Sequence, residues 1–143
     1  MEGNDLRIMG LDVGTKRIGI ALSDELMLTA QGLDTLERGR LKDDLEAINN
    51  IIKERGVYEV VIGLPLNMNG SYSAKTKEIV EFADSLLKAT TIAAKMWDER
   101  LTSMQAERVL LEADISRAKR KKVMDRMAAQ IILQSYLDSR KKG

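Results

Sequence analysis

Residues 7–23 read RIMGLDVGTKRIGIALS, two apolar runs separated by Gly14, Thr15 and Lys16. A connection of this length that contains glycine is typical of a β-hairpin, so the stretch predicts antiparallel strands at residues 7–13 and 17–23. The first strand also carries Asp12 among apolar neighbours. Because a buried carboxylate loses several kcal/mol of hydration unless something pairs with it, Asp12 needs a partner in the folded protein.

The pattern beyond the hairpin alternates between helix and strand. A weaker apolar run at residues 28–36 predicts a third strand. The elements expected after it are a helix from Leu41 to a stop at Gly56, a strand at 57–66, a helix around 79–87, a strand at 91–97, a helix from a capping box at 102–105 towards Leu111, and a last helix at about 120–139. Strands connected through helices run parallel. We therefore expect one α/β domain, residues 1–143, with a mixed five-stranded sheet of three antiparallel strands followed by parallel strands, flanked by helices.

The chain has neither cysteine nor histidine among its 143 residues. This composition excludes disulfides, zinc sites with thiolate or imidazole ligands, cysteine nucleophiles and Ser-His triads. Any chemistry has to use carboxylates, lysines, hydroxyl groups or a metal held by oxygen ligands, which suits Mg²⁺ or Mn²⁺. No apolar run approaches the roughly 20 residues of a membrane span, and the N-terminal MEGNDLR lacks a signal-peptide core. We therefore expect a cytoplasmic protein without a membrane partner.

Positive charge is concentrated at one end of the chain. Residues 117–143 contain nine Lys and Arg against two Asp, whereas residues 1–116 contain 14 Lys and Arg against 20 Asp and Glu. The cluster centres on Arg117, Lys119, Arg120, Lys121, Lys122 and Arg126. Such a cluster is typical of a surface that binds a phosphate backbone, and the alternative is a solvated helix end.

Acidic residues stand at the ends and faces of three predicted elements. Asp12 lies in the first strand, Asp98 and Glu99 end the strand at 91–97, and Asp125 lies in the last helix. Each has a structural interpretation: a turn cap for Asp12, an exposed ion pair with Arg100 for the strand end, and a helix-surface charge for Asp125. Clustered carboxylates without histidine favour a hard-cation site instead, because the cation lets like charges stay ionised together. Two such ions about 4 Å apart can activate water and stabilise the leaving oxygen in phosphodiester hydrolysis.

Four co-linear stretches resemble motifs of the YqgF (RuvX) family: GLDVGTKRIGIALSD, VVIGLPLNMNGS, DERLTS and DRMAAQIILQSYL. The resemblance covers nearly the whole chain. It implies an RNase H-like fold, similar to that of the RuvC Holliday junction resolvases, and a metal-dependent phosphodiesterase that processes the 5′ end of pre-16S ribosomal RNA. The loop NMNG at 67–70 departs from the family pattern, which often has Asp at the third position, so a charge-dependent role for this loop is not carried over.

The resemblance also implies roles for individual residues. Asp12, Glu99 and Asp125 match the catalytic and metal-binding acids, with Mg²⁺ or Mn²⁺ as cofactor. Strand alternation alone leaves Asp98 and Glu99 both open, and the choice of Glu99 follows the family. The expected nucleic-acid contacts are the matching basic residues and the basic cluster, namely Lys16, Arg17, Arg100, Lys119, Arg120, Lys121 and Lys122. For Arg100 a structural ion pair is the alternative, and for Lys16 and Arg17 the alternative is plain turn charges.

Three functional hypotheses compete at this point. The first is a metal-dependent nuclease that acts on structured RNA or, as a Holliday junction resolvase, on branched DNA; a resolvase would need two symmetric sites in a homodimer. The second starts from GLDVGT, which also resembles the first phosphate loop of the actin, Hsp70 and sugar-kinase group, although that group needs two such domains. The third is a non-catalytic nucleic-acid-binding assembly factor whose acids are merely structural.

Overall fold

The computed structural model describes residues 6–100 and 117–141. Within residues 117–126 it describes the backbone of every residue but the side chain of Lys119 alone. The helix expected from the capping box at 102–105 towards Leu111 therefore lies outside the described residues. Across the described ranges, no helix combines the length and the apolar character that a membrane crossing requires.

Six strands of the described chain form one mixed sheet with the order β3-β2-β1-β5-β6, and β4 pairs with β2 beside β3. The strands are β1 (Arg7–Val13), β2 (Arg17–Ser23), β3 (Ala30–Gly32), β4 (Leu36–Glu37), β5 (Val57–Leu64) and β6 (Ala93–Asp98). The first four pair antiparallel, whereas β5 runs parallel to β1 and β6 runs parallel to β5. The expected mixed α/β sheet is confirmed.

The third apolar run differs from its expectation, because it forms two short strands rather than one. Residues 30–32 pair with residues 21–23, and residues 36–37 pair with residues 17–18. Between the two pairings the Leu33 amide still donates to the Ile20 carbonyl at 2.8 Å. The run therefore lies along β2 but pairs with it as a strand only at its two ends. These ends count as separate strands, so the sheet has six strands instead of five.

Three helices of the described chain cover the sheet: α1 (Leu41–Arg55), α2 (Ala74–Ala89) and α3 (Arg117–Arg140). The α1 helix ends at Gly56, whose φ of 66° lies in the left-handed region that glycine adopts without strain. The α2 helix begins with a capping box in which Ser73 and Thr76 bond reciprocally to each other's backbone amides. The α3 helix matches the last predicted helix, with three more residues at its start and one more at its end.

The two faces of the sheet carry separate apolar cores. One face packs against α1 and α2 through a cluster that includes Leu11, Ile48 and Phe82, and the other packs against α3 through a cluster that includes Val61 and Leu133. The α3 helix lies very close to β1, because a Cβ atom on Gly10 would stand only 2.8 Å from the Cβ atom of Leu133. Glycine at this position thus sets the height of α3 above the sheet.

Candidate metal centre and nucleic-acid interface

Asp12 lies near the end of β1 on the face of the sheet that α3 covers. Its partner across the β1–β2 ladder is Gly19, and a Cβ atom on Gly19 would lie 3.5 Å from the Asp12 Cβ and 3.4 Å from the Ala129 Cβ of α3. The half-buried Asp12 side chain therefore sits beside a position with no side chain, under the helix. As a turn cap, Asp12 would accept hydrogen bonds from the amides of Gly14 and Thr15, but the Gly14 amide donates to the Arg17 carbonyl at 2.9 Å instead.

Glu99 follows β6 directly and reaches the same region from the other side of β5. Its amide donates to the Leu64 carbonyl at 3.1 Å, which continues the β5–β6 pairing by one residue. A Cβ atom on Gly63 would lie 3.0 Å from the Glu99 Cδ and 2.5 Å from the Ile132 Cδ1. Since β5 lies between β1 and β6, the missing side chain at Gly63 leaves the space that the Glu99 carboxyl group occupies.

The two carboxyl groups interact electrostatically. Burial, and then the negative charge of Asp12, raises the pKa of Glu99 from its ordinary 4.5 to about 7. Asp98 adds to the upward shift, and the positive charge of Lys75 opposes it. Near neutral pH the Glu99 carboxyl group is therefore only partly ionised, unless a cation close to the two groups stabilises its negative charge. A site of this kind, with oxygen donors and unfavourable like charge, fits a hard divalent cation such as Mg²⁺ or Mn²⁺.

Asp98, the other candidate at the strand end, is engaged elsewhere. Arg100 donates from Nε to both carboxylate oxygens of Asp98 at 3.0 Å and from Nη2 to Oδ2 at 2.7 Å. These hydrogen bonds lower the pKa of Asp98. The same guanidinium group donates from Nη1 to the Met68 carbonyl at 3.0 Å. The geometry thus favours Glu99 over Asp98 as a partner of Asp12, and it gives Arg100 the ion pair that was its structural alternative.

The third acid, Asp125, lies in α3, and its side chain is outside the described residues. It precedes Ala129 by four residues, one turn of the helix, and Ala129 packs beside Gly19 and Gly10 next to Asp12. Among the described side chains, no group of three or more Asp or Glu residues forms a complete metal cage. The structure therefore brings Asp12 and Glu99 together. It places the backbone of Asp125 one helical turn before Ala129, the residue of α3 that packs beside Asp12.

Apart from Arg100, the expected nucleic-acid contacts fall into two groups, one at the β1–β2 turn and one at the start of α3. Lys16 and Arg17 are exposed in and after the β1–β2 turn, and Arg17 Nε lies 3.2 Å from Glu37 Oε1. Lys119 is exposed on the first turn of α3. Three further basic residues of α3 have side chains outside the described residues: Arg120, Lys121 and Lys122.

Sequence reasoning missed Lys75, the second residue of α2. Its Nζ donates to the Thr15 Oγ1 at 3.3 Å, and its charge acts on the Glu99 carboxyl group. Within the sequence, Lys75 is one lysine in a polar loop and helix start, with no spacing that ties it to Asp12 or Glu99. Only the hydrogen bond between the start of α2 and the β1–β2 turn reveals it.

Comparison with known proteins gives concordant results. The profile of a family described as "RuvX: Holliday junction resolvase" matches residues 6–139. Two curated proteins named "Putative pre-16S rRNA nuclease" are similar over nearly their whole length: one from Clostridioides difficile, 53% identical over 94% of this chain and 95% of its own, and one from Symbiobacterium thermophilum, 52% identical over 94% of both chains. The RuvC structure of Thermus thermophilus, in complex with a Holliday junction substrate, superposes with a TM-score of 0.56 at 13% identity, covering 95% of this chain and 96% of that one. The expected RNase H-like fold is confirmed by this likeness.

Proposed function

The chain belongs to the RuvX family, and from that membership we propose that it is a nuclease, a hydrolase that cleaves phosphodiester bonds in nucleic acid. The observation that carries the proposal is the pairing of Asp12 with Glu99 across β5, at the face covered by α3. Two carboxyl groups from distant parts of the chain are held together although their negative charges repel each other. Groups with such perturbed pKa values are concentrated at the functional sites of proteins.

We propose that Asp12, Glu99 and Asp125 hold the cofactor, Mg²⁺ or Mn²⁺. When bound, divalent ions at such acids supply an activated water and stabilise the leaving oxygen of the cleaved ester. The support is the donor set of the described pair, which consists of carboxylate oxygens alone, together with the rise in the pKa of Glu99 that a bound cation would reverse. We name Mg²⁺ or Mn²⁺ because both ions prefer oxygen ligands such as carboxylates.

The residues of the chain would handle the substrate as well as the cofactor. The exposed Lys16 and Arg17 stand on the turn that follows Asp12, and Lys119 stands on α3 six residues before Asp125. Positive charge on both sides of the acids would attract the phosphate backbone and hold it against the cluster. The basic residues Arg120, Lys121 and Lys122 belong to the same helix end. Arg100 would act indirectly, because its guanidinium group joins Asp98 to the loop at 67–71.

For the substrate we propose precursor 16S ribosomal RNA, cleaved at its 5′ end in the cytoplasm during ribosome biogenesis. The support is the name shared by relatives that are about half identical over nearly the whole chain. The second candidate is a four-way DNA junction, which the description of the family names. A junction resolvase would act as a homodimer with two sites, whereas an enzyme that trims RNA ends can act as a monomer.

The decisive experiment compares cleavage of precursor 16S RNA and of a four-way DNA junction, side by side, in Mg²⁺ and in Mn²⁺. The variants are Asp12→Asn, Glu99→Gln and Asp125→Asn, and the matched control is Asp84→Asn on the exposed side of α2. We expect each site variant to lose at least about 100-fold in rate and the control to retain full rate. Full activity in all three site variants would overturn the assignment of the acids. Binding without cleavage of either substrate, unaffected by the three substitutions, would establish the non-catalytic assembly factor instead.

A further inference from the structure

Lys75 lies on the first turn of α2, which is anchored to the end of β5. Ser73 and Thr76 form the capping box of α2, and the Thr76 hydroxyl also donates to the Pro65 carbonyl just after β5. The first turn of α2 is thereby tied to the strand that separates Asp12 from Glu99. The fold thus fixes where the Lys75 side chain begins, and the hydrogen bond to Thr15 locates its flexible end.

The ammonium group of Lys75 contacts the β1–β2 turn, and its charge is felt by the Glu99 carboxyl group. Its Nζ is 3.3 Å from Thr15 Oγ1, a residue of the turn that begins directly after β1 and three residues after Asp12. Lys75 and Thr15 also line a cavity of about 350 Å³ between this turn and α2, together with Arg38 and the acidic residues Glu78 and Glu81. The phosphate contact proposed below is therefore placed at the mouth of the β1–β2 turn, where Lys75 meets Thr15, and not inside this cavity.

The placement has a consequence for the bound state. A divalent cation held by Asp12 and Glu99 would neutralise their negative charge, and the Lys75 ammonium group would then be available to another anion. The remaining anion at such a site is the phosphate of the nucleic acid. A lysine ammonium group has three donors, and the Thr15 hydroxyl accepts only one of them.

We propose that Lys75 is a substrate-binding residue of this site, whose ammonium group, oriented by the Thr15 hydroxyl, contacts a non-bridging phosphate oxygen of the nucleic acid next to the acid pair. This inference rests on the proposed nuclease function and adds to it a contact from α2, opposite the basic end of α3. The substrate backbone would then run between α3 and the start of α2, across the carboxyl end of β5.

The test measures binding of a fluorescent stem-loop RNA with a single-stranded 5′ extension, in Ca²⁺ and over a range of salt concentrations. The variants are Lys75→Gln and Lys75→Arg, and the matched control is Lys77→Gln, an exposed lysine two residues further along the same helix. We expect Lys75→Gln to weaken binding about tenfold at low salt and to reduce the slope of log affinity against log salt by about 1. Lys75→Arg should recover most of the affinity because it keeps the charge, and Lys77→Gln should leave both quantities unchanged.

A bracing role for Lys75 is separated from the proposed one by Thr15→Val. Thr15→Val keeps the ammonium charge, so under the proposed role it lowers the affinity less than Lys75→Gln does and leaves the salt slope at the wild-type value. If the lysine only stabilises the β1–β2 turn, Thr15→Val reproduces the whole loss of affinity and Lys75→Arg does not restore it. Either that pattern or an unchanged salt slope in Lys75→Gln overturns the inference. Because the measurement is of binding, its failure is distinct from failure of the proposed function: a wild-type protein that cleaves nothing but shows the expected slopes would refute the nuclease and leave the phosphate contact in place.

Discussion

Replacing Glu99 with glutamine should make the metal-free protein more stable at alkaline pH. The folded protein raises the pKa of Glu99 from 4.5 to about 7, so folding makes ionisation of this group less favourable. Each pKa unit corresponds to about 1.4 kcal/mol, and the full shift therefore corresponds to about 3 kcal/mol. Part of the shift is screened because the side chain keeps some solvent exposure, which leaves about 2 kcal/mol as the expected effect.

The sign of the pH dependence follows from proton binding. Between pH 4.5 and about 7 the folded protein holds the Glu99 proton while the unfolded chain releases it, so wild-type stability falls as the pH rises through this window. Glutamine is neutral at every pH and does not lose this stability. Glu99→Gln should therefore exceed the wild type by about 2 kcal/mol at pH 8, and by less than about 0.5 kcal/mol at pH 4.5.

The assay is urea denaturation in EDTA at the two pH values, with Asp84→Asn as the control for loss of an ordinary exposed carboxylate. For a domain of this size the difference at pH 8 corresponds to about 6–8 °C in melting temperature. Adding 10 mM Mg²⁺ at pH 8 should stabilise the wild type more than the variant, since the ion takes up the charge of the pair. Equal stability of wild type and variant at pH 8, or a difference that does not change with pH, would refute the raised pKa of Glu99 that burial and the charge of Asp12 produce.

Two further substitutions test the packing around the site. Gly63→Ala should destabilise the protein by about 1–3 kcal/mol in urea denaturation and weaken Mg²⁺ binding in calorimetry, because the new Cβ would lie 2.5 Å from the Ile132 Cδ1 and 3.0 Å from the Glu99 Cδ; unchanged stability and Mg²⁺ affinity would show that the space at Gly63 is not needed. Tyr136→Phe should cost about 1–3 kcal/mol of stability, because it removes a 2.8 Å hydrogen bond to the buried Glu59 carboxylate, while nucleic-acid cleavage stays at the wild-type rate; a loss of cleavage without a loss of stability would contradict this purely structural role.

The hairpin and the end of the first helix could be read from local sequence because their causes are local. The predicted strands at 7–13 and 17–23 coincide with β1 and β2, and the helix from Leu41 ends at Gly56 as expected. Apolar runs around a glycine-containing turn bring their own pairing partners, and a glycine at a helix end supplies its left-handed conformation without strain. The run at 28–36 was harder, because its division into β3 and β4 depends on how residues 33–35 follow the neighbouring strand.

By itself, the sequence determined the class of fold, the exclusion of thiol and imidazole chemistry, and the acids that deserve testing, since these depend on residue types and on spacing along the chain. Tertiary structure alone decided which acid at the strand end accompanies Asp12. Alternation along β6 could not distinguish Asp98 from Glu99 because both faces of the sheet are covered. The strand order β1-β5-β6 and the missing side chain at Gly63 leave space for the Glu99 carboxyl group near Asp12, while Arg100 binds Asp98. The hydrogen bond to Thr15 brings Lys75 of α2 to the same end of the sheet. Contacts between residues so far apart in sequence follow from which strands and helices are neighbours in space, and no local pattern records that.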